Sequence, residues 1–218
     1  MNKSIFVFWT GDNEMSQTRA DCLRQLREVS ACHVILVTKH NLHDYLLPNE
    51  PLHYAYQFLS ETHKADYLRT YFMNFIGGGY SDIKRTTGHW LKSFDDLYNN
   101  DDKWIIGYQE IEHGSAYIPP NAPTLFYKEL IGNCCYICKK NTPLTNEWYN
   151  EMISVLDKKL LKLMKYPSTF PQDRAEISNG KYPMEWNEML GRIFQKHCYT
   201  YRNRLLYTLP PNNFTNYR

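Results

Sequence analysis

Short apolar runs alternate along the chain with stretches of helical periodicity. Residues 4–9 (SIFVFW) form the first run, closed by Thr10-Gly11-Asp12-Asn13, and read as a buried strand followed by a turn. Ser16 is placed to cap a helix reaching about Val29, with Ala20, Leu23 and Leu26 on one face. Residues 32–38 (CHVILVT) form a second apolar run. Strand, helix and strand in this order predict a βαβ unit, hence a parallel sheet with a right-handed crossover. Ligands of such sheets bind at the carboxyl ends of the strands, where Trp9 and Thr10 stand.

Residues 59–84 (LSETHKADYLRTYFMNFIGGGYSDIK) predict a helix, a glycine stop and a short strand that ends on charge. Ser60 suits the N-cap and Glu61 the first turn. Ala65, Leu68, Phe72 and Ile76 make the apolar stripe, and Asp66 and Arg69, three apart, share a face beside it. Gly77, Gly78 and Gly79 supply the positive φ of a helix stop. An extended segment over 80–83 places Asp82 and Lys84 on one side of the chain.

Further along, 90–98 predicts a short helix with Ser93 or Asp95 as caps, and 103–108 (KWIIGY) and 130–138 (LIGNCCYIC) predict strands. Thr145 or Asn146 is expected to open a helix to about Met164, and 184–196 (MEWNEMLGRIFQK) to form one led by Pro183. Proline-bearing loops lie between these elements, and residues 210–218 read as a tail or linker after one domain over 1–209.

Composition narrows the functional classes. A net charge of +2 argues against a nucleic-acid binder held by phosphate contacts. No apolar run reaches the roughly 18 residues that cross a bilayer, and the first residues do not form a signal peptide, so a cytoplasmic location is expected. The 18 tyrosines and 5 tryptophans suit stacking on sugars or bases, although core packing is their commoner use. Six cysteines show no secretory framework; the cluster Cys134-Cys135-Cys138 sits in an apolar strand without a second half, which favours buried thiols over zinc. No phosphate-binding Gly-x-x-x-x-Gly-Lys loop or catalytic triad signature is present, and His113 and His197 are outside candidates for a metal or phosphate contact.

The segments Ala65-Asp66-Tyr67-Leu68-Arg69 and Gly77-Gly78-Gly79-Tyr80-Ser81-Asp82-Ile83-Lys84 resemble the DXD sugar-binding glycosyltransferases of GT-A fold. These include mannosyltransferases, capsular polysaccharide transferases and glucosylating toxins. The wording HKADYLR…GGGYSDIK is also similar to a capsular or large-virus subgroup that includes chlorovirus capsid glycosyltransferases. The resemblance implies an α/β fold with a mostly parallel, Rossmann-like central sheet flanked by helices. It implies transfer of a hexose or deoxyhexose, with retention, from a UDP-sugar to an oligosaccharide or glycoprotein acceptor. In the family pattern Trp9 stacks on the uracil, with Thr10 beside it. Asp66, Arg69 and Asn133 hold the donor sugar or diphosphate, and Tyr80 flanks the nucleotide.

The departure is Lys84, which stands where the pattern has its second aspartate. Mn²⁺ or Mg²⁺ is the cofactor the pattern implies, with Asp82 as its ligand. With Lys84 in place, three readings stay open: Asp82 holds a metal alone, Lys84 supplies part of the metal's charge, or the two form a surface pair worth roughly 0–1 kcal/mol. Acceptor contacts are expected from 110–123 and 172–186, with Asp82, Asp173, Glu185 and Glu188 as candidate catalytic acids. A nucleotide-sugar binding module without transfer and a nucleotide hydrolase remain the alternatives.

Overall fold

The computed structural model describes residues 3–110, 117–120, 122 and 128–217. A six-stranded sheet forms its centre, in the order β2-β1-β3-β6-β5-β7. Strands β1 (Ser4–Trp9), β2 (His33–Thr38) and β3 (Gly78–Ser81) pair in parallel. β6 (Ile131–Cys138) runs antiparallel to both β3 and β5 (Ile105–Gln109), and β7 (Leu205–Leu206) is parallel to β5. Five of the six strands therefore share one direction, as expected for a mostly parallel α/β fold. A two-stranded sheet joins β4 (Arg85–Thr86) to β8 (Asn212–Asn213).

Strand alternation sends side chains to two separate cores. Phe6, Phe8, Tyr80, Ile131 and Tyr136 pack on one face with α2 (Glu61–Phe75), α4 (Pro143–Lys165) and α5 (Gly191–Thr200). Ile5, Val7, Val34, Ile106 and Ile137 pack on the other with α1 (Gln17–Ser30) and α3 (Leu91–Tyr98). Because both faces are covered, the strands read as continuous apolar runs. Most of the aromatic content is spent here: Tyr136 stacks on Phe194 at 5.1 Å, and Trp148 lies 4.7 Å from Phe194. Cys22, Cys135, Cys138 and Cys198 are buried free thiols.

Local capping signals place several helix starts. The Ser16 and Ser60 side chains accept from the backbone N–H of Arg19 and His63. α4 opens earlier than expected, because Thr142 and Thr145 form a reciprocal capping box around Pro143. α3 starts at Leu91 after Trp90, without a side-chain cap from Ser93 or Asp95. The strand expected over 80–83 is Gly78–Ser81, two residues earlier.

The largest difference is at 184–196, where the helix begins only at Gly191 and 186–190 is a turn. Carboxylates take the backbone there: Glu176, from outside the segment, accepts from the Trp186 N–H at 3.0 Å, and Glu188, within it, accepts from the Glu185 N–H at 3.1 Å. Residues 210–217 lie against the body of the protein, with Asn212 buried and donating to Ser81 Oγ at 3.1 Å. No helix among the described residues is long and apolar enough to cross a membrane.

The reversal between α2 and β3 needs two left-handed residues, Gly77 at φ 73° and Gly78 at φ 95°. A Cβ on Gly78 would also lie 3.1 Å from the Ser4 carbonyl oxygen. Gly78→Ala should therefore cost about 1–3 kcal/mol, read as a lower denaturant midpoint. An unchanged midpoint would show that the reversal tolerates a side chain.

Candidate functional site

The carboxyl ends of β1 and β3 open into a cleft of about 670 Å³. Trp9, Thr10, Asp66, Arg69, Tyr80, Asp82, Lys84 and Asn133 all reach it, although they come from four different elements or their ends. The cleft floor is a network of two acids and two cations. Arg69 lies 3.2 Å from Asp66 and 3.5 Å from Asp82, and Lys84 Nζ donates to Asp82 Oδ2 at 2.7 Å. The Tyr80 hydroxyl donates to Asp82 Oδ1 at 2.6 Å. The Arg69 guanidinium lies 4.3 Å over the Tyr80 ring and donates to the Asn133 carbonyl oxygen at 3.0 Å.

The network explains which groups are charged. Burial opposes ionisation of Asp82, but Lys84, Arg69 and the hydrogen bonds from Lys84 and Tyr80 hold its carboxyl well below the usual carboxylate range. Burial also disfavours the Lys84 ammonium, and Asp82 more than offsets this, so Lys84 stays protonated above its ordinary range. Asp66 is more enclosed: burial raises its carboxyl and outweighs the opposing Arg69. Burial pushes the Cys134 thiol up to about 11, so a neutral sulfur accepts from Lys84 Nζ at 3.1 Å.

Several predicted residues carry a different load from the one expected. Tyr80 is buried, its ring stacked on Phe8 at 5.7 Å, so it underlies Arg69 and orients Asp82. Trp9 is half-buried at the cleft wall and its ring N–H donates to the Asn13 carbonyl oxygen at 2.9 Å. Thr10 donates to Glu61 Oε2 at 3.2 Å. Asn133 accepts from Gln195 Nε2 at 3.1 Å through its side-chain oxygen.

The structure does not bring Asp173, Glu185 and Glu188 to the cleft. Asp173 is buried and accepts from the Thr169 N–H at 3.0 Å, which fixes the 168–173 turn. Glu185 pairs with Arg192, and Glu188 pairs with Lys159 at 2.5 Å. His197 joins α5 to α4 through Glu147 and Glu151, away from the cleft lining. His113 and most of 111–127 lie outside the described residues, and with them most of the expected acceptor loop.

Sequence reasoning missed Arg19, Glu61 and Tyr217, which also line the cleft. Arg19 donates to the Ile83 carbonyl oxygen at 2.7 Å and lies 5.0 Å over the Tyr217 ring. Lys84 Nζ is 4.8 Å from the same ring and 4.9 Å from the Phe214 ring. Tyr217 thus sits between two cations, a placement that no local pattern announces.

The donor set does not suit a resident Mn²⁺ or Mg²⁺. Such ions need several oxygen ligands, and Asp66 is enclosed with Arg69 while both Asp82 oxygens already accept hydrogen bonds. A divalent ion 4 Å from the Lys84 ammonium would meet a repulsion of about 8 kcal/mol at an effective dielectric of 20. No group of three His, Cys, Asp or Glu side chains among the described residues could hold a metal ion. Lys84 and Arg69 supply the positive charge at this place.

Lys84→Met removes one partner from Asp82 and leaves Arg69. The expected loss is about 3 kcal/mol at neutral pH, the low end for breaking a buried pair. Since the Asp82 carboxyl is lowered on folding, its contribution is full above the unfolded value of about 3.9 and fades as pH falls through the folded value. Urea titrations should show a constant deficit from neutral pH down to about pH 4, shrinking below it. A deficit that persists unchanged in stronger acid would contradict the pairing.

Residues 1–163 match the family described as capsular polysaccharide synthesis protein. No curated protein matches the chain. Among solved structures the chain is similar to PaToxG glycosyltransferase, with 13% sequence identity and a TM-score of 0.50 over 91% of this chain and 69% of that one. At that identity the likeness is one of fold. With 163 of its 218 residues matched, the chain belongs to the capsular polysaccharide synthesis protein family.

Proposed function

We propose that this protein transfers a hexose or deoxyhexose, with retention, from a nucleoside-diphosphate sugar to an oligosaccharide or glycoprotein acceptor in capsule or capsid glycan synthesis. UDP-sugars are the first donors to test. The observation that carries this reading is the convergence of Asp66, Arg69, Asp82 and Lys84 beneath one cleft at the carboxyl edge of the sheet. The family and the fold support glycosyl transfer in general. The donor class comes from the resemblance to the DXD-type pattern, and the chemistry of the four side chains is compatible with it.

A departing nucleoside diphosphate gains negative charge as the glycosidic bond breaks, and fixed cations stabilise it without reorganising. An ammonium has three N–H donors. Lys84 gives one to Asp82 and one to Cys134, which leaves one for a phosphate oxygen. Arg69, held by Asp66 and Asn133, is oriented towards the same place. Asp66 and Asp82 are acceptors for sugar hydroxyls, and such charge-assisted bonds are stronger than neutral ones. Trp9 at the cleft wall offers a ring face to the base. In this reading the two cations of the chain do the work that a divalent ion does elsewhere in the DXD-type pattern.

A second reading, a nucleotide-sugar binding module without transfer, is favoured by how tightly Lys84 and Arg69 neutralise Asp82. Nucleotide release decides between them. A panel of nucleotide sugars should produce thermal stabilisation by one donor, about 2.7 kcal/mol at a hundred times Kd, together with release of its nucleoside diphosphate. Stabilisation without release would select the binding module, and release of inorganic phosphate would select a hydrolase.

Turnover should continue in excess EDTA and drop about a hundredfold or more in Asp82→Asn with the fold retained; loss of turnover in EDTA with recovery on adding Mn²⁺ would overturn the assignment to Lys84. Trp9→Ala should weaken UDP binding by about 1–3 kcal/mol, as measured by calorimetry. Equal UDP affinity in a folded variant would remove Trp9 from the site.

A further inference from the structure

The outer side of the last turns of α4 is left exposed by the other described residues. Leu156 and Leu163 are buried on the inner side of the helix. Leu161 is 81% exposed and Met164 45% exposed on the outer side. Lys158, Lys162 and Lys165 are exposed around them, and none of the three is in an ion pair among the described residues. Of the neighbouring charges, Lys159 turns inward to Glu188 at 2.5 Å, and the exposed Asp157 carboxylate lies 3.0 Å from His53 Nε2. Five residues past the helix, Phe170 is 42% exposed on a turn fixed by Asp173.

We infer that this end of α4 docks on an anionic lipid surface. Charge complementarity selects that occupant: three exposed lysines, none in an ion pair among the described residues, lie beside two exposed apolar side chains on the outer side of the helix. Lys165 also rests 5.2 Å over the Tyr166 ring. This is the pattern of a helix that lies in the headgroup layer, with apolar side chains below and lysines reaching the phosphates. A protein partner fits less well, because the centres of protein interfaces are depleted in lysine. The surface also has a defined position. The turn after α4 is tied to the start of α2 by the Thr62 N–H donating to the Pro171 carbonyl oxygen at 3.1 Å, and Pro171 and Gln172 line the cleft. Docking through α4 therefore brings the cleft rim close to the lipid.

The test is co-sedimentation of the whole protein with vesicles of phosphatidylcholine alone and of phosphatidylcholine mixed with phosphatidylserine, at low and high salt. Binding is expected only to the mixed vesicles and should fall as salt rises. Each lysine near the surface is worth about fivefold, so Lys158→Gln, Lys162→Gln and Lys165→Gln combined should weaken binding about a hundredfold. Leu161→Ser should weaken it several-fold, and all four sites are exposed, so thermal melting should be unchanged. No binding to the mixed vesicles, equal binding to both kinds, or full binding by the triple variant would each overturn the inference. Concentration-dependent self-association that Leu161→Ser abolishes, without vesicle binding, would assign the surface to a second copy of the chain instead.

Discussion

The site depends on one chain reversal. α2 leads away from the cleft and β3 returns to it, and Gly77 and Gly78 at positive φ join them. From Arg69 to the end of α2 is six residues, or about 9 Å of helix. From Gly78 to Asp82 is four residues, or about 13 Å of strand. The two paths cover similar distances in opposite directions, so Arg69 comes level with Asp82 across the helix–strand packing. The 3.5 Å approach of these side chains is the outcome. Any register shift in β3 would turn Asp82 away, because successive strand residues face opposite sides.

Electrostatics then fixes the chemistry. Two carboxylates and two cations share the cleft floor, with Lys84 nearly buried and Asp82 partly open. Such a cluster does not justify itself by stability, since desolvation offsets most of the Coulomb gain. It does hold the Asp82 carboxylate and the Lys84 ammonium charged through neutral pH. Lys84 beside Asp82 balances the charge of the cleft floor and keeps one ammonium N–H beyond those given to Asp82 and Cys134. Tyr217 and Phe214 add ring faces beside that ammonium, so the final residues of the described chain belong to the wall of the site.

What was legible in the sequence was local. Ser60 as cap, the glycine stop and the spacing of Asp66 and Arg69 are short-range signals, and the structure places them as read. Trp9, Thr10, Tyr80, Asp82 and Lys84 come together because parallel β1 and β3 end on one edge, and Asn133 joins them because antiparallel β6 begins there. Distant partners were not legible. Glu185 and Glu188 read as free acids on a helix, but Lys159, Arg192 and the backbone of the 185–190 turn engage them. Arg19 and Tyr217 meet over nearly two hundred residues of sequence, which periodicity cannot register. Lys84 was visible as a departure, but only the 2.7 Å bond to Asp82 shows that it neutralises the acid rather than pointing away.

The most direct measurement is a crystal structure of the protein with UDP in EDTA. The account predicts the diphosphate within hydrogen-bonding distance of Lys84 Nζ, Arg69 close to it and the uracil against the face of Trp9. A diphosphate bound elsewhere, or bound in this cleft with Lys84 turned away from it, would contradict the central claim.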